Sequence, residues 1–167
     1  MRKLIMYIKI VVIAATIGCI QQVNAGTQGV QHGAGDVNFQ NQILHYVNQY
    51  RMRHFLRPLK MSETISIEAA KHSRDMANKS MPFGHTGYTG RIKRLYTKFD
   101  HCRGGAENVA YYKTDAKKLV DAWMASPGHR QNIMGGYNLT GIGIAYSKKG
   151  WAYYTQIFLR SDGKQVG

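Results

Sequence analysis

Two stretches near the C-terminus restrict the architecture more than anything else in the chain. Leu139 to Tyr146 (LTGIGIAY) alternates, with Ile142, Ile144 and Tyr146 on one side. Lys148-Lys149-Gly150 is a turn signal, and Trp151 to Leu159 (WAYYTQIFL) carries bulk on both faces. Trp151, Tyr153, Ile157 and Leu159 lie on one side, Tyr154 and Phe158 on the other. The pair predicts an antiparallel hairpin. A strand apolar on both faces must be covered on both faces. The periodic segments before it are mostly helical, so helices must supply that cover. The expected fold class is α+β: a three-layer α-β-α sandwich with a mainly antiparallel central sheet.

Phe39, Ile43, Val47 and Tyr50 recur at helical spacing and predict a helix over 38–56, stopped by Pro58. Arg51, Arg53 and Arg57 fall at its basic end, where cations suit the helix dipole. Ser62 is placed to cap a helix over 63–79, with Ile65, Ala69, His72 and Met76 on one stripe. Pro82 and Gly84 break that helix and leave His85 in a loop. Tyr88 to Phe99 reads as a basic amphipathic helix on Ile92, Leu95 and Phe99. Gly104 and Gly105 punctuate the chain, and Asn108 to Tyr112 reads as extended. Thr114 is placed to cap a helix over 115–125, with Leu119, Val120, Trp123 and Met124 on its apolar face. Pro127 ends that helix or restarts it as one more turn holding His129 to Met134.

The N-terminus has the three-part pattern of a secretory signal peptide. Arg2, Lys3 and Lys9 precede the apolar run Ile10 to Ile20, and Val23-Asn24-Ala25 offers a cut after Ala25. The run is shorter than the ~20 residues of a membrane span. The expected organisation is a signal peptide over 1–25, a Gly-rich flexible leader over 26–37, one domain over 38–161 and a tail over 162–167. The expected location is secreted or periplasmic. An uncleaved anchor and a lipid attached at Cys19 are the alternatives. Cleavage removes three of the 23 Lys and Arg residues and none of the 9 acids, so the net charge falls from +14 to +11. Such a charge suits anionic partners. Cleavage also removes Cys19 and leaves Cys102 alone, so the exported domain rests on core packing rather than on an internal disulfide.

No P-loop, GxSxG, HExxH or CxxC string is present. Gly141-Ile-Gly143 lies in a strand pattern and opens no helix, so it is not a dinucleotide fingerprint. What remains are polar groups at element ends. His85 sits in Phe83-Gly84-His85-Thr86, Glu107 in Gly105-Ala106-Glu107-Asn108-Val109-Ala110, and His129 in Ser126-Pro127-Gly128-His129-Arg130-x-Asn132-Ile133, just after Trp123.

Together with the helix carrying Asn48 and Arg51, the helix rich in Ala69, Ala70 and Met76, and the closing G-x-G and aromatic strands, these segments resemble the CAP superfamily. That is the domain of cysteine-rich secretory proteins, antigen 5 and pathogenesis-related 1 proteins, also called the SCP domain. The resemblance runs from Phe39 to Leu159 and is nearest to the bacterial branch. It implies a cleft in which His85, Glu107 and His129 match two histidines and one of two glutamates. The second glutamate position is Ser126 here. The three matched residues become the expected metal ligands, for Zn²⁺ or a similar divalent ion. With one carboxylate missing, weak binding is expected.

The resemblance implies an exported protein that works mainly by binding, with anionic lipid, cell-wall polymer or a host surface ligand as partner. The alternative is a hydrolase, either metal-dependent through His85, His129 and Glu107, or using Ser126 as nucleophile with His129 as base. Nucleic acid is not expected, because export argues against it and the strand aromatics suit a core.

Overall fold

The computed structural model describes residues 34–163 and Gln165. The signal-peptide reading, Cys19 and residues 26–33 of the leader therefore lie outside the described residues. The elements run α1 (Ala34–Arg53), β1 (Lys60–Met61), α2 (Glu63–Ala77), α3 (Tyr88–Tyr96), β2 (Cys102–Tyr112), α4 (Ala116–Ala125), α5 (Pro127–Ile133), β3 (Leu139–Tyr146) and β4 (Ala152–Ser161).

The expected hairpin is the centre of the molecule. β3 and β4 pair antiparallel from Leu139 opposite Leu159 to Tyr146 opposite Ala152. Gly150, with φ of 72°, closes the turn by donating its N–H to the Ser147 carbonyl (2.8 Å). β2 pairs antiparallel with the other side of β4, and β1 pairs parallel with β3. The sheet order is β1-β3-β4-β2, so the sheet is mixed, with one short parallel edge. Two residues are too few to show a period, which is why β1 is invisible in the sequence.

Strand side chains alternate between faces. On one side of the sheet, Phe158, Tyr154, Ile142, Ile144, Ala106 and Ala110 pack with Ile43, Val47, Leu119, Val120 and Trp123 of α1 and α4. On the other, Ile157 and Leu159 pack with Ile65 and Ala69 of α2 and with Ile92 and Leu95 of α3. This is the expected three-layer sandwich. Ile157, Phe158 and Leu159 are all fully buried, and each such side chain contributes about 1.5–3 kcal/mol.

Gly141 and Gly143 face α2 at close range. A Cβ at Gly141 would overlap the Ile65–Ser66 backbone, and one at Gly143 the Ala69–Ala70 backbone. The G-x-G string is therefore a packing device that lets a helix lie directly on a strand. Ser73 in the same helix donates to the Gly143 carbonyl (3.0 Å) and to Thr155 Oγ1 (2.8 Å), which fixes the register of helix on sheet.

Several boundaries differ from the sequence pattern for identifiable reasons. α1 starts at Ala34, inside the stretch read as leader, with Asp36 in its first turn where the dipole favours an anion. It ends at Arg53, three residues short of the expected 56. Phe55 takes a left-handed conformation (φ 59°) and Leu56 N–H returns to the Arg51 carbonyl (3.0 Å). Ser62 precedes α2 but makes no side-chain cap. Asp115, not Thr114, caps α4, accepting from Lys118 N–H (2.8 Å). α3 ends at Tyr96, short of Phe99, and β2 runs through Gly104 and Gly105 with a bulge between Cys102 and Gly104. Pro127 restarts the chain as α5, standing in the first turn where its missing N–H costs nothing.

Arg51 is not at a solvated basic end. It is 2% exposed. Its Nε donates to the Arg57 carbonyl (3.0 Å), one terminal nitrogen to the carbonyls of Ile133 (2.6 Å) and Gly135 (2.9 Å), and the other to that of Tyr137 (3.1 Å). Burial pushes its pKa below the ordinary arginine value. One guanidinium thus ties α1 to the end of α5 and the connection into β3. Asn48, one turn earlier, accepts from Leu59 N–H (2.8 Å) and donates to the Leu59 carbonyl (3.0 Å), which holds the α1–β1 connection.

Candidate functional site

Glu107 stands in the middle of β2 opposite Ile157, on the face covered by α2 and α3. It is 4% exposed, so its charge needs partners. α3 supplies them through Arg91. Arg91 Nε donates to Oε2 (2.8 Å) and a terminal nitrogen donates to Oε1 (2.8 Å), a bidentate pair. Arg91 also donates to the Thr86 carbonyl (2.8 Å), so the same guanidinium holds the loop before α3.

That loop carries His85. Its Nδ1 lies 2.9 Å from Glu107 Oε1. A carboxylate only accepts, so Nδ1 donates and the neutral ring keeps its free lone pair on Nε2. A buried carboxylate orienting an imidazole through Nδ1–H is a recurrent way of fixing a working histidine.

A second histidine, His72 of α2, lies behind. Its Nε2 donates to the Gly84 carbonyl (2.8 Å) and is 3.9 Å from Glu107 Oε1. Its Nδ1 is buried without a hydrogen-bond partner. Glu107 therefore organises three elements: β2, which bears it, α3 through Arg91, and the loop through His85.

His129 arrives from the other layer. Asn108 Nδ2 donates to the His129 carbonyl (3.2 Å), and Asn132 Nδ2 donates to Asn108 Oδ1 (2.8 Å) and to the Glu107 carbonyl (3.1 Å). These amides pin α5 to β2. Arg130 donates to the Met124 carbonyl at the end of α4 (3.1 Å). Asn132 and Arg130 are thus bracing residues.

Ser126 joins α4 to α5. Its N–H bonds to the Ala122 and Trp123 carbonyls, its own carbonyl accepts from Arg130 N–H (2.9 Å), and its hydroxyl makes no cap. His85, Ser126 and His129 line one groove of about 650 Å³. Its walls are Phe83, Val109, Ala110, Tyr111, Tyr112 and Trp123. Of the four candidates named from sequence, three face this groove and Glu107 lies buried behind His85.

Arg91 and His72 are the participants that sequence reasoning misses as site residues. A signal for Arg91 is present. It lies four residues before Leu95 and three after Tyr88, on the apolar stripe of α3 rather than its solvated face.

The metal expectation meets a chemical obstacle. A shared zinc shell needs a free lone pair from each ligand. Glu107 Oε1 accepts from both Arg91 and His85, and Oε2 accepts from Arg91, so the buried carboxylate is already matched by a guanidinium charge, and Glu107 does not line the groove shared by His85 and His129. Among the described residues, no three His, Cys, Asp or Glu side chains are grouped so as to hold a metal ion. Ser126 offers no replacement carboxylate. The donor set does not fit a zinc ion shared by His85, Glu107 and His129, and no step is routed through one.

Burial pushes His72 below the ordinary histidine pKa, and the Arg91 charge adds to this, while the Gly84 bond, Glu107 and Asp75 oppose it. Burial, and then the neighbouring His85, lowers His129 as well. The unfolded chain therefore takes up these protons at a higher pH than the folded chain. Their contribution to stability is complete above about pH 6.5 and is lost as pH falls through the lower folded-state values. Urea melts at pH 7.5 and pH 5.5 should show acid weakening in the native chain and a smaller pH effect in His72→Gln, which keeps a donor for Gly84. An unchanged pH effect in both His72→Gln and His129→Gln would refute this assignment.

Residues 44–158 match the sequence model of the cysteine-rich secretory protein family, CAP. The Bacillus subtilis (strain 168) protein YkwD is 32% identical over 123 residues, covering 72% of this chain and 47% of its own. The membrane protein YlbC of the same organism is 30% identical over 123 residues, covering 72% of this chain and 34% of its own. The chain thus spans about half or less of the curated relatives it matches. An extracellular protein with an SCP domain from Bacillus anthracis superimposes with a TM-score of 0.62 at 25% identity, over 80% of this chain and 45% of that one. An outer surface protein from Borrelia burgdorferi does so at 0.64 and 15% identity, over 75% and 94%. The latter likeness concerns the fold alone.

Proposed function

The chain belongs to the cysteine-rich secretory protein family, and from that premise we propose that it is an exported binding module whose groove takes an amphipathic, lipid-like ligand. The apolar body of the ligand lies along Phe83, Tyr111 and Trp123, and its acidic head meets His85 and His129 at the polar end. Export is supported by the N-terminal pattern and by the likeness to the extracellular protein from Bacillus anthracis. Among the described residues, no helix is long and apolar enough to cross a membrane.

One observation carries the binding reading. Glu107 is buried, paired with Arg91 and absent from the groove wall, so it orients His85 and does not itself meet a substrate. A groove walled by apolar and aromatic side chains with a few polar groups at one end is the usual form of a ligand site. The second reading, hydrolysis in the same groove, is favoured by one geometric fact: the Glu107–His85 bond leaves Nε2 as an oriented base, with Ser126 in the same wall.

Titration with a fluorescent polyene fatty acid separates the two. Saturable binding is expected in the native chain, weakened about tenfold, equivalent to ~1.4 kcal/mol, by His129→Ala and by Phe83→Ala. Equal binding by all three proteins would remove the groove as the site. Turnover of a p-nitrophenyl ester that disappears in His85→Ala and Ser126→Ala would establish the hydrolase reading instead.

A further inference from the structure

The sheet has an uncovered end. α2 stops at Ala77, so the Tyr111–Tyr153 rung of the β2–β4 pair extends past the helix that covers Glu107 and Ile157. The two rings lie 5.1 Å apart, and Trp151 stands 5.0 Å from Tyr111. Phe83 packs against both tyrosines, 5.9 Å from Tyr111 and 6.3 Å from Tyr153, so the four rings form a cluster around Tyr111. Phe83, Tyr111 and Trp151 are 54%, 40% and 38% exposed. Each therefore keeps part of its surface against a neighbouring ring and leaves the rest open to solvent. A projecting apolar tip looks different: Phe55, alone at its turn, is 98% exposed.

Lysines rim this platform. Lys79, Lys148 and Lys149 line a groove of about 730 Å³ along Tyr111, Trp151 and Tyr153, and Lys113 Nζ lies 5.3 Å from the centre of the Trp151 ring. No acidic residue lines the groove, and among the described residues none of the four lysines forms an ion pair with a carboxylate. A partly open cluster of rings beside unpaired cations asks for a ligand with flat apolar faces and negative charge.

We infer that this lysine-rimmed aromatic platform is a second binding site, adjoining the His85 groove across Phe83 and Tyr111, for an acidic polysaccharide. Pyranose rings present C–H faces that stack on aromatic rings, and their carboxylate or sulfate groups meet the ammonium groups. The charge complementarity is local and adds to the overall excess of 23 Lys and Arg over 9 acids. A membrane surface would also attract the lysines. Tyr111, Trp151 and Tyr153, however, form one wall of a groove, which suits a chain lying in it better than a flat interface. Trp151, Tyr153 and the four lysines lie outside the lining of the His85 groove, so the inference rests on residues that the proposed lipid-like ligand does not use.

The test uses the purified chain, dextran sulfate, and uncharged dextran of equal length, read by Trp fluorescence and by calorimetry. Binding of dextran sulfate but not dextran is expected. Trp151→Ala should weaken it about tenfold, the scale of one lost aromatic stack, while Trp151→Tyr retains most of it. Lys148→Ala/Lys149→Ala should weaken it comparably, whereas Lys93→Ala/Lys98→Ala, an equal charge change on and just after α3, should not. Thermal melts confirm that each variant is folded. The surface lysine variants keep the test open if Trp151→Ala fails to fold.

Equal losses from both lysine pairs, or no loss in a folded Trp151→Ala, would reduce the interaction to general charge attraction and overturn the site. Stronger platform-dependent binding to phosphatidylglycerol vesicles or to a single-stranded oligonucleotide than to dextran sulfate would overturn the choice of ligand. Retention of dextran sulfate binding in His129→Ala, whose side chain lines the His85 groove and not the lysine-rimmed one, keeps this result distinct from that of the His85 groove.

Discussion

Replacing Arg51 by Ala is expected to bring the domain close to unfolding. The guanidinium is the shared donor for four carbonyls, those of Arg57, Ile133, Gly135 and Tyr137. Each buried acceptor left unpaired costs about 1–3 kcal/mol. With only part of the four rescued by entering water, the loss is about 3–6 kcal/mol, against a typical total of ~5–15 kcal/mol. Arg51→Lys keeps the charge but not the planar fork, and one ammonium cannot meet carbonyls on both sides. It should recover less than half of the loss. Chemical denaturation of the three proteins checks this. A melt for Arg51→Ala within about 1 kcal/mol of the native chain would show that the carbonyls find other partners.

Gly143→Val is expected to be comparably severe for the opposite reason, excess rather than absence. A Cβ at Gly143 overlaps the backbone of Ala69 and Ala70, and backbone cannot swing aside as a flexible side chain can. α2 must lift off β3, which also breaks the Ser73 bonds to Gly143 and Thr155. Overpacking costs ~1–3 kcal/mol where side chains can adjust, and more is expected here. Gly128→Ala is the control. Nothing lies within 4 Å of a Cβ there, so its effect should fall within about 0.5 kcal/mol. If the two substitutions melt alike, the close approach of helix to strand does not limit stability.

The parts of the fold that the sequence announces are those with strong, uninterrupted periods. β3 and β4 pair as their patterns imply, and the α4 stripe of Leu119, Val120 and Trp123 is buried as its spacing implies. β2 is legible only in its second half, because Gly104 and Gly105 look like punctuation. In the folded chain Gly105 makes room for Ile92 against the strand. The cap of α4 falls to Asp115 because its carboxylate reaches Lys118 N–H.

The site is legible in a different sense. No local period relates His85, Glu107 and His129, and their grouping comes from family resemblance. The resemblance supplies the positions but not the charge balance. Arg91 neutralises Glu107, and the only local hint is a cation standing on an apolar stripe. Gly141-Ile-Gly143 can be told from a nucleotide motif by its strand pattern, yet its use as a seat for α2 emerges only with the helix in place.

β4 lies between β3 and β2, and both apolar clusters draw on its residues. It is also the last element in chain order. The wall common to both halves of the core is therefore the last of the described elements to be delivered. Until Ser161 has emerged, β2 has no neighbour in the sheet, and α2 and α4 have only part of a surface to pack on. Partner strands so distant in sequence close slowly. The order of the elements delays completion of this domain's core until β4 is available, so α1 to β3 must wait as a partly formed shell before the two halves of the core close on one strand.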